Sequence, residues 1–365
     1  MQPAIPREKP GAEVACVCLM WESVPLSQIE EEAVAPRRAR GWRLGAHQGA
    51  AAMDSAKVVG CYRDRTILVT GSTGFLGKLL VEKILRVQPG VKKLYLLVRA
   101  QDNTAAQHRV LKEAMGEMLL GDMREDLPVV IIRPSIVTST FEEPFPGWIE
   151  GTRTIDIVID AYDKQTIPCF ICDHNSTVDA IPGDMVVNAA MVAIAAHYAE
   201  ETQIIYHVTS AHKNPLQMYL LEELAYGYFF VNPRVREGKR TIQHKRLLLF
   251  TRYLYFHAYM VLAYKIPLQM LYLVNLLLGG LFSEFHNKLN RNYNFFMLLA
   301  KLYAPFTTFK ACFDNTNLRK LWRMTGACQG DGYIFNFDPS CVNWSLYLFN
   351  THIPAALKIS RGKKE

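Results

Sequence analysis

The chain has 365 residues, half of them hydrophobic and 21% charged, a composition that excludes disorder as the dominant state and predicts a sizeable buried core. At roughly 150 residues per domain the length predicts two domains, or three. The net charge of +7 leaves nucleic acid, an anionic membrane and an acidic substrate open until the charge is located.

Residues 1–52 are rich in Pro, Ala and Arg, carry the acidic triplet Glu30, Glu31, Glu32 and show no sustained apolar period. They are expected to be a disordered or leader extension outside the fold. Organellar transit peptides are poor in acids, and this stretch holds six, which argues against that role. Met53 opens MDSAKVVG, a second conventional start. From Arg65 the pattern sharpens. TILVT (66–70) is a β-branched strand, FLGKLLVEKILRV (75–87) a helix and KLYLLVR (93–99) a second strand. Together they form a βαβ unit, parallel and right-handed by the crossover rule. A helical MGEMLLGDM (115–123) and a further strand, LPVVIIRP (127–134), follow. Short apolar runs alternate with turns over 151–230, and an amphipathic helix is expected over 184–199 with Asp184 as its N-cap.

Residues 234–252 hold seven Lys or Arg against the single acid Glu237, so nearly all the excess charge sits there. The apolar, aromatic stretch 253–282 comes next, interrupted by Lys265 and Pro267. That pairing fits a helix or hairpin in an anionic membrane interface, an ordinary helical core or a true span. Nucleic acid is not expected, because the basic run lacks a reading module.

Between the first strand and its helix, Thr70, Gly71, Ser72, Thr73, Gly74, Phe75, Leu76 and Gly77 read TGSTGFLG. Three glycines at three-residue spacing directly after a strand match a dinucleotide fingerprint. The first permits the tight turn, the second lets backbone N–H groups reach a pyrophosphate, and the third lets helix and strand pack closely. Arg99 ends the second strand, where an acid would accept from the ribose of NAD. A guanidinium suits a 2′-phosphate, favouring NADPH; alternatively Arg99 ends a sheet edge in solvent. Cys169 and Cys172 form a CxxC near His174, but Cys312, Cys328 and Cys341 are too loosely spaced to complete a zinc site. The eight cysteines, spread without a secretory signal, read as buried small hydrophobes in a reducing compartment. His174, His257 and His352 read as structural, with no Ser/His/Asp or carboxylate pair visible.

These residues resemble the alcohol-forming fatty acyl-CoA reductases, especially the plant branch, which are extended short-chain dehydrogenase/reductases. Residues 66–100 resemble the N-terminal signature. AMGEMLL and LPVVIIRPSIVTST within 114–140, PGWIEG (146–151), VDAIPGDMVVNA (178–189) and FNFDPSCVNWSLYLFNTHIP (335–354) resemble later blocks in the same order. The resemblance implies an α/β fold: a Rossmann-like domain over 53–233, then a mainly helical C-terminal domain over 234–365. It also implies reduction of a long-chain acyl-CoA to the primary alcohol with two NADPH, for wax, suberin or pollen-wall lipids. The expected location is the cytosolic face of the endoplasmic reticulum membrane, with contact through 234–282, or a plastid if 1–52 acts as a transit peptide. Arg133 and Pro134 match the segment beside the nicotinamide, or simply end a strand.

The family's proton donor is a Tyr with a Lys four residues on, the Lys holding the ribose and lowering the Tyr pKa. None of the 17 tyrosines here is followed by Lys at that position, and the family pattern maps the pair onto Arg109 and Glu113. Both roles are unfilled, so no catalytic residue is assigned. Only the 27 residues 100–126 separate Arg99 from the strand at Leu127. Each further βα unit of a doubly wound sheet needs roughly 25 to 30 residues. An internal loss of several strands follows, with either an inactive reductase by descent or a non-catalytic nucleotide- or acyl-binding relative as the consequence.

Overall fold

Val69 and the apolar side of Phe75–Val87 are buried against each other's neighbourhood, and this pairing of a β-branched strand with a helix repeating at three and four residues organises the N-terminal half. The structure is a computed structural model that describes residues 16–19, 53–70, 74–97, 129–198, 203–236, 240–241, 244–307, 312–326 and 333–362. Strand Thr66–Thr70 pairs in parallel with Lys93–Leu97, Thr66 opposite Lys93 and Thr70 opposite Leu97, and the helix Phe75–Val87 lies between them in the chain. The βαβ unit thus has the expected parallel sense.

A second sheet carries the deepest core. Strand Val129–Pro134 is sealed over Val129, Val130, Ile131 and Ile132, and Gln203–Val208 pairs with it in parallel. Cys16–Leu19 pairs along its other edge, Cys16 opposite Val129 and Leu19 opposite Ile132. The expectation that all of 1–52 lies outside the fold therefore fails for these four residues. A strand buried on both faces needs partners for its backbone groups along both edges, and the CVCL run supplies one.

Gly183–His197 packs on this sheet and on the glycine-turn helix. The expected amphipathic helix with an Asp184 cap is corrected here. The run Met185–Ala195 is buried all round, as a helix without a polar stripe must be, and Pro182 occupies the N-cap. The approach to the glycine-turn helix is close: a Cβ on Gly183 would come within 2.8 Å of Phe75 Cε1. Several polar groups inside this layer are paired. Tyr62 donates to the Met191 carbonyl at 2.9 Å, His197 Nε2 lies 2.6 Å from the Tyr206 hydroxyl, and Asn188 donates to the Asn336 carbonyl at 2.7 Å.

The C-terminal part is woven into the N-terminal part. Leu248–Phe250 pairs in parallel with Cys169–Ile171. Arg234 and Arg361 both reach Asp163, at 3.0 and 2.9 Å, and Arg246 lies 3.6 Å from Glu222 and over the Tyr226 ring. Part of the basic segment's charge is therefore neutralised inside the protein rather than displayed. The Asn214 side chain donates to the carbonyls of Pro339 and Val342, and Trp344 Nε1 donates back to the Asn214 carbonyl.

Lys265 and Pro267 do not break the apolar stretch. Tyr253–Met260, a π-turn at Val261–Lys265 and Ile266–Leu277 run as one helix of 25 residues. The proline falls in the first α-turn after the π-turn, where its missing N–H costs little.

Candidate active site

Gly74 caps the helix Phe75–Val87 in extended conformation, with no side-chain hydrogen bond at the cap and no acid in the first turn. Phe75, Leu76 and Gly77 are buried behind it. Uncapped N–H groups and the helix dipole make this end a ready anion site, so the residues present fit the pyrophosphate of a dinucleotide. Thr70 ends the preceding strand. Gly71, Ser72, Thr73 and Arg99 lie outside the described residues, as do Arg109 and Glu113.

The loop 139–153 folds over this end. Trp148 meets Phe75 edge to face at 6.3 Å and stacks on Phe145 at 5.8 Å. Glu150 pairs with Lys78 at 2.8 Å. Asp184 holds the loop by accepting the N–H groups of Phe141, Glu142 and Glu143 at 2.9, 2.8 and 3.1 Å. Burial pushes the Asp184 carboxyl up, and those three N–H groups oppose the shift. Glu143 pairs with the buried Lys83 and with Arg86. Burial alone would raise its carboxyl, but the two cations hold it below its usual range.

Phe75 and Val137 border one cavity with Ile149, Glu150, Arg153 and Asp156, of about 10 Å³. That space holds roughly one water, so a nicotinamide ring would need the loop displaced. Arg133 and Pro134 end their strand as expected, but the Arg133 guanidinium turns toward His207, 3.5 Å away.

The sequence reading missed one constellation. His352 Nδ1 accepts the Ser139 N–H and lies 3.2 Å from Ser139 Oγ, and its Nε2 is 3.0 Å from Asp156 Oδ1 without being aligned as a hydrogen bond. The Tyr347 hydroxyl donates to Thr138 Oγ1 at 2.8 Å. Ser139 and His352 are 213 residues apart, so no spacing rule could join them. The grouping has the residue types of an acyl-transfer triad, but Ser139 and His352 are completely buried, so neither can meet a substrate. It ties the C-terminal π-turn Leu348–His352 to the end of the strand Ile136–Thr138.

Cys169 and Cys172 are buried, Cys169 Sγ lying 3.5 Å from Met260 Sδ, and burial pushes both thiols up to about 12. Among the described residues no group of three or more His, Cys, Asp or Glu is arranged for a metal. At pH 8 such thiols are about one part in ten thousand thiolate. Iodoacetamide should therefore modify the exposed Cys312 while leaving Cys169 and Cys172 unlabelled in the folded protein. Peptide mass spectrometry showing equal rates would contradict this packing.

Two family models match the chain. One describes the NAD-binding domain of a male sterility protein and matches in two pieces, residues 69–115 and 112–190; the other, also described as a male sterility protein, matches 263–359. Fatty acyl-CoA reductase 1 of Arabidopsis thaliana is 44% identical over 252 residues, 68% of this chain and 51% of that protein. The alcohol-forming fatty acyl-CoA reductase of Simmondsia chinensis is 38% identical over 253 residues, again 68% and 51%. Reductase 7 of the Arabidopsis series is 33% identical over 396 positions that take in 78% of this chain and 95% of that protein. The chain belongs to the fatty acyl-CoA reductase family. It spans about half the length of the first two relatives. Since 78% of 365 residues is about 285, roughly 110 of the 396 positions are filled by reductase 7 alone. The two pieces of the NAD-binding match meet at 112–115. Among solved structures, the reductase domain of a nonribosomal peptide synthetase from Mycobacterium tuberculosis overlaps 85% of this chain and 96% of its own at 12% identity and a TM-score of 0.45.

Proposed function

We propose that this family member is built for NADPH-dependent reduction of a long-chain fatty acyl-CoA to a primary alcohol, at the cytosolic face of the endoplasmic reticulum membrane, and that as it stands it binds cofactor without turning over. The two-piece match, with its meeting point at 112–115, carries this reading. It supports a Rossmann-like domain that keeps its first βαβ unit and its last strands but not the units between, where the family's Tyr and Lys belong. NADPH, when bound, supplies hydride. This chain's share is the backbone of the 70–77 turn for the pyrophosphate and Arg99 for the 2′-phosphate. Products would serve wax, suberin or pollen-wall lipids. A membrane surface would be met through 234–282, where exposed Lys245 and Arg252 precede exposed Leu254 and Tyr255.

Thermal unfolding with either cofactor tests the nucleotide half. NADPH should raise the midpoint, and NADH should require roughly ten- to a hundredfold more to match it, since a guanidinium–phosphate hydrogen bond contributes roughly 1.5–3 kcal/mol. Arg99→Ala should erase that preference. No shift with either cofactor would sink the reading.

A further inference from the structure

Gly279 and Gly280, at φ +68° and +92°, turn the long apolar helix back on itself. Asn275 fixes the turn by donating to Ser283 Oγ at 3.1 Å and accepting the Phe282 N–H at 2.7 Å. Ser283–Thr307 then runs back beside it as a second helix. Tyr264, Leu268, Leu271 and Asn275 on the first helix are at least half-covered, as are His286, Leu289, Tyr293 and Phe296 on the second. Spacings of three and four place each set on one stripe, the seam of a hairpin.

The hairpin is rooted where Phe256, Met260, Phe296 and Ala300 join the core. Between Met260 and the turn at Gly279, about 28 Å at 1.5 Å per residue, it projects with little cover but its own partner helix. Its two outer surfaces differ in chemistry. Opposite the seam the first helix presents Leu262, Ile266, Met270, Leu273 and Leu277, the last 84% exposed, and Leu281 at the turn is 78% exposed. The second helix presents Glu284, Asn287, Lys288 and Arg291 over the same length, mixed with exposed Phe285 and Phe295. Glu284 is the single acid between 244 and 307, against Lys245, Arg246, Arg252, Lys265, Lys288, Arg291 and Lys301.

We propose that this hairpin is a monotopic membrane anchor that lies in the plane of an anionic phospholipid surface, the 253–277 helix sunk to the acyl boundary and the 283–307 helix above it facing water. The inference rests on the reading that the chain meets a membrane, and adds which surface does so and at what depth. A single apolar side suits immersion by one helix diameter. A span would carry Glu284, Lys288 and Arg291 into hydrocarbon together with the Leu277 end. Exposed Lys245, Arg252 and Lys265, on or beside the immersed helix, match an anionic lipid face, and the overall cationic excess would disfavour pairing with a second, equally cationic copy.

The test uses the full chain with Leu277→Cys or Lys288→Cys, both at exposed positions, and vesicles of phosphatidylcholine with phosphatidylserine. Labelling by an impermeant maleimide is read by peptide mass spectrometry, so native cysteines do not interfere. On vesicle binding, Leu277→Cys should react about tenfold more slowly and Lys288→Cys at its rate in solution. Protection of both positions would overturn the in-plane orientation in favour of deep insertion. Binding that protects neither would overturn the hairpin as the contact while leaving the membrane reading intact. No sedimentation with vesicles would overturn both, and protection of Leu277→Cys without lipid would assign the face to a second copy. As an independent check, Leu277→Asp with Leu281→Asp should reduce vesicle binding about tenfold, while Asn287→Asp should leave at least half. Equal loss from both would contradict the orientation.

Discussion

Incubated with NADPH and a C16 to C24 acyl-CoA, the purified chain should yield no fatty alcohol above background by gas chromatography. The alkoxide that forms as hydride arrives needs a proton, and a positioned acid contributes roughly 10² to 10⁴ in rate. The resemblance maps the family's Tyr and Lys onto Arg109 and Glu113, and neither offers a phenol or an ammonium. The exposure of one sheet face fits the proposed loss of central units. Leu68 and Tyr95, opposite one another in register, are 57% and 51% exposed, on a face that a doubly wound parallel sheet ordinarily covers with helices. His352 and Asp156 do not substitute, because His352 is sealed from the cavity by full burial. Clear NADPH-dependent alcohol production would show that another group donates the proton.

Asp163→Ala should be the most destabilising single change to the polar framework. Asp163 is fully buried. Its two carboxylate oxygens take Arg361 at 2.9 Å and Arg234 at 3.0 Å, and its carbonyl oxygen lies 3.1 Å from His244 Nε2. It thereby joins the helix Ile155–Asp163, the basic segment and the C-terminal helix Ile353–Gly362. Removing the anion leaves two guanidiniums without their shared counter-charge, a loss of about 3 to 5 kcal/mol for a buried pair; partial exposure of both arginines places it near the lower end. Asp160→Asn breaks only the i,i+4 pair with the half-exposed Lys164, which is worth at most about 0.5 kcal/mol. Thermal or denaturant unfolding of the two variants beside the parent measures the difference. Equal stabilities would show that the Asp163 cluster does not hold the two parts together.

Local features were legible in the sequence. TILVT, the glycine turn and FLGKLLVEKILRV are periodic on the scale of one element, and the strand and helix span Thr66–Thr70 and Phe75–Val87 as read. What periodicity could not supply was a partner distant in sequence. Asp184 reads as a cap because it stands at a helix start, yet its carboxylate serves the loop 141–143 more than forty residues earlier. Met185–Ala195 reads as one-sided only if one side is assumed wet, and sheet, glycine-turn helix and Ser55–Cys61 cover it all round. Pro267 reads as a break because the π-turn before it leaves no compositional trace. The Ser139–His352–Asp156 contact joins residues from opposite ends of the described fold. The nucleotide site stands between these cases. Gly74 to Gly77 are placed as a strand-to-helix turn requires, while Arg99 and the first half of the loop lie outside the described residues.

The proposed loss of a central block is tested by restoring it. The corresponding stretch of the Simmondsia chinensis relative would be inserted between Leu111 and Ala114, and fatty alcohol formed from a C16 to C24 acyl-CoA with NADPH compared with that from the unaltered chain. NADPH-dependent alcohol is expected from the restored chain and none from the unaltered one; alcohol from both in equal amount, or none from a restored chain that folds and binds NADPH, would contradict the loss of a catalytic block.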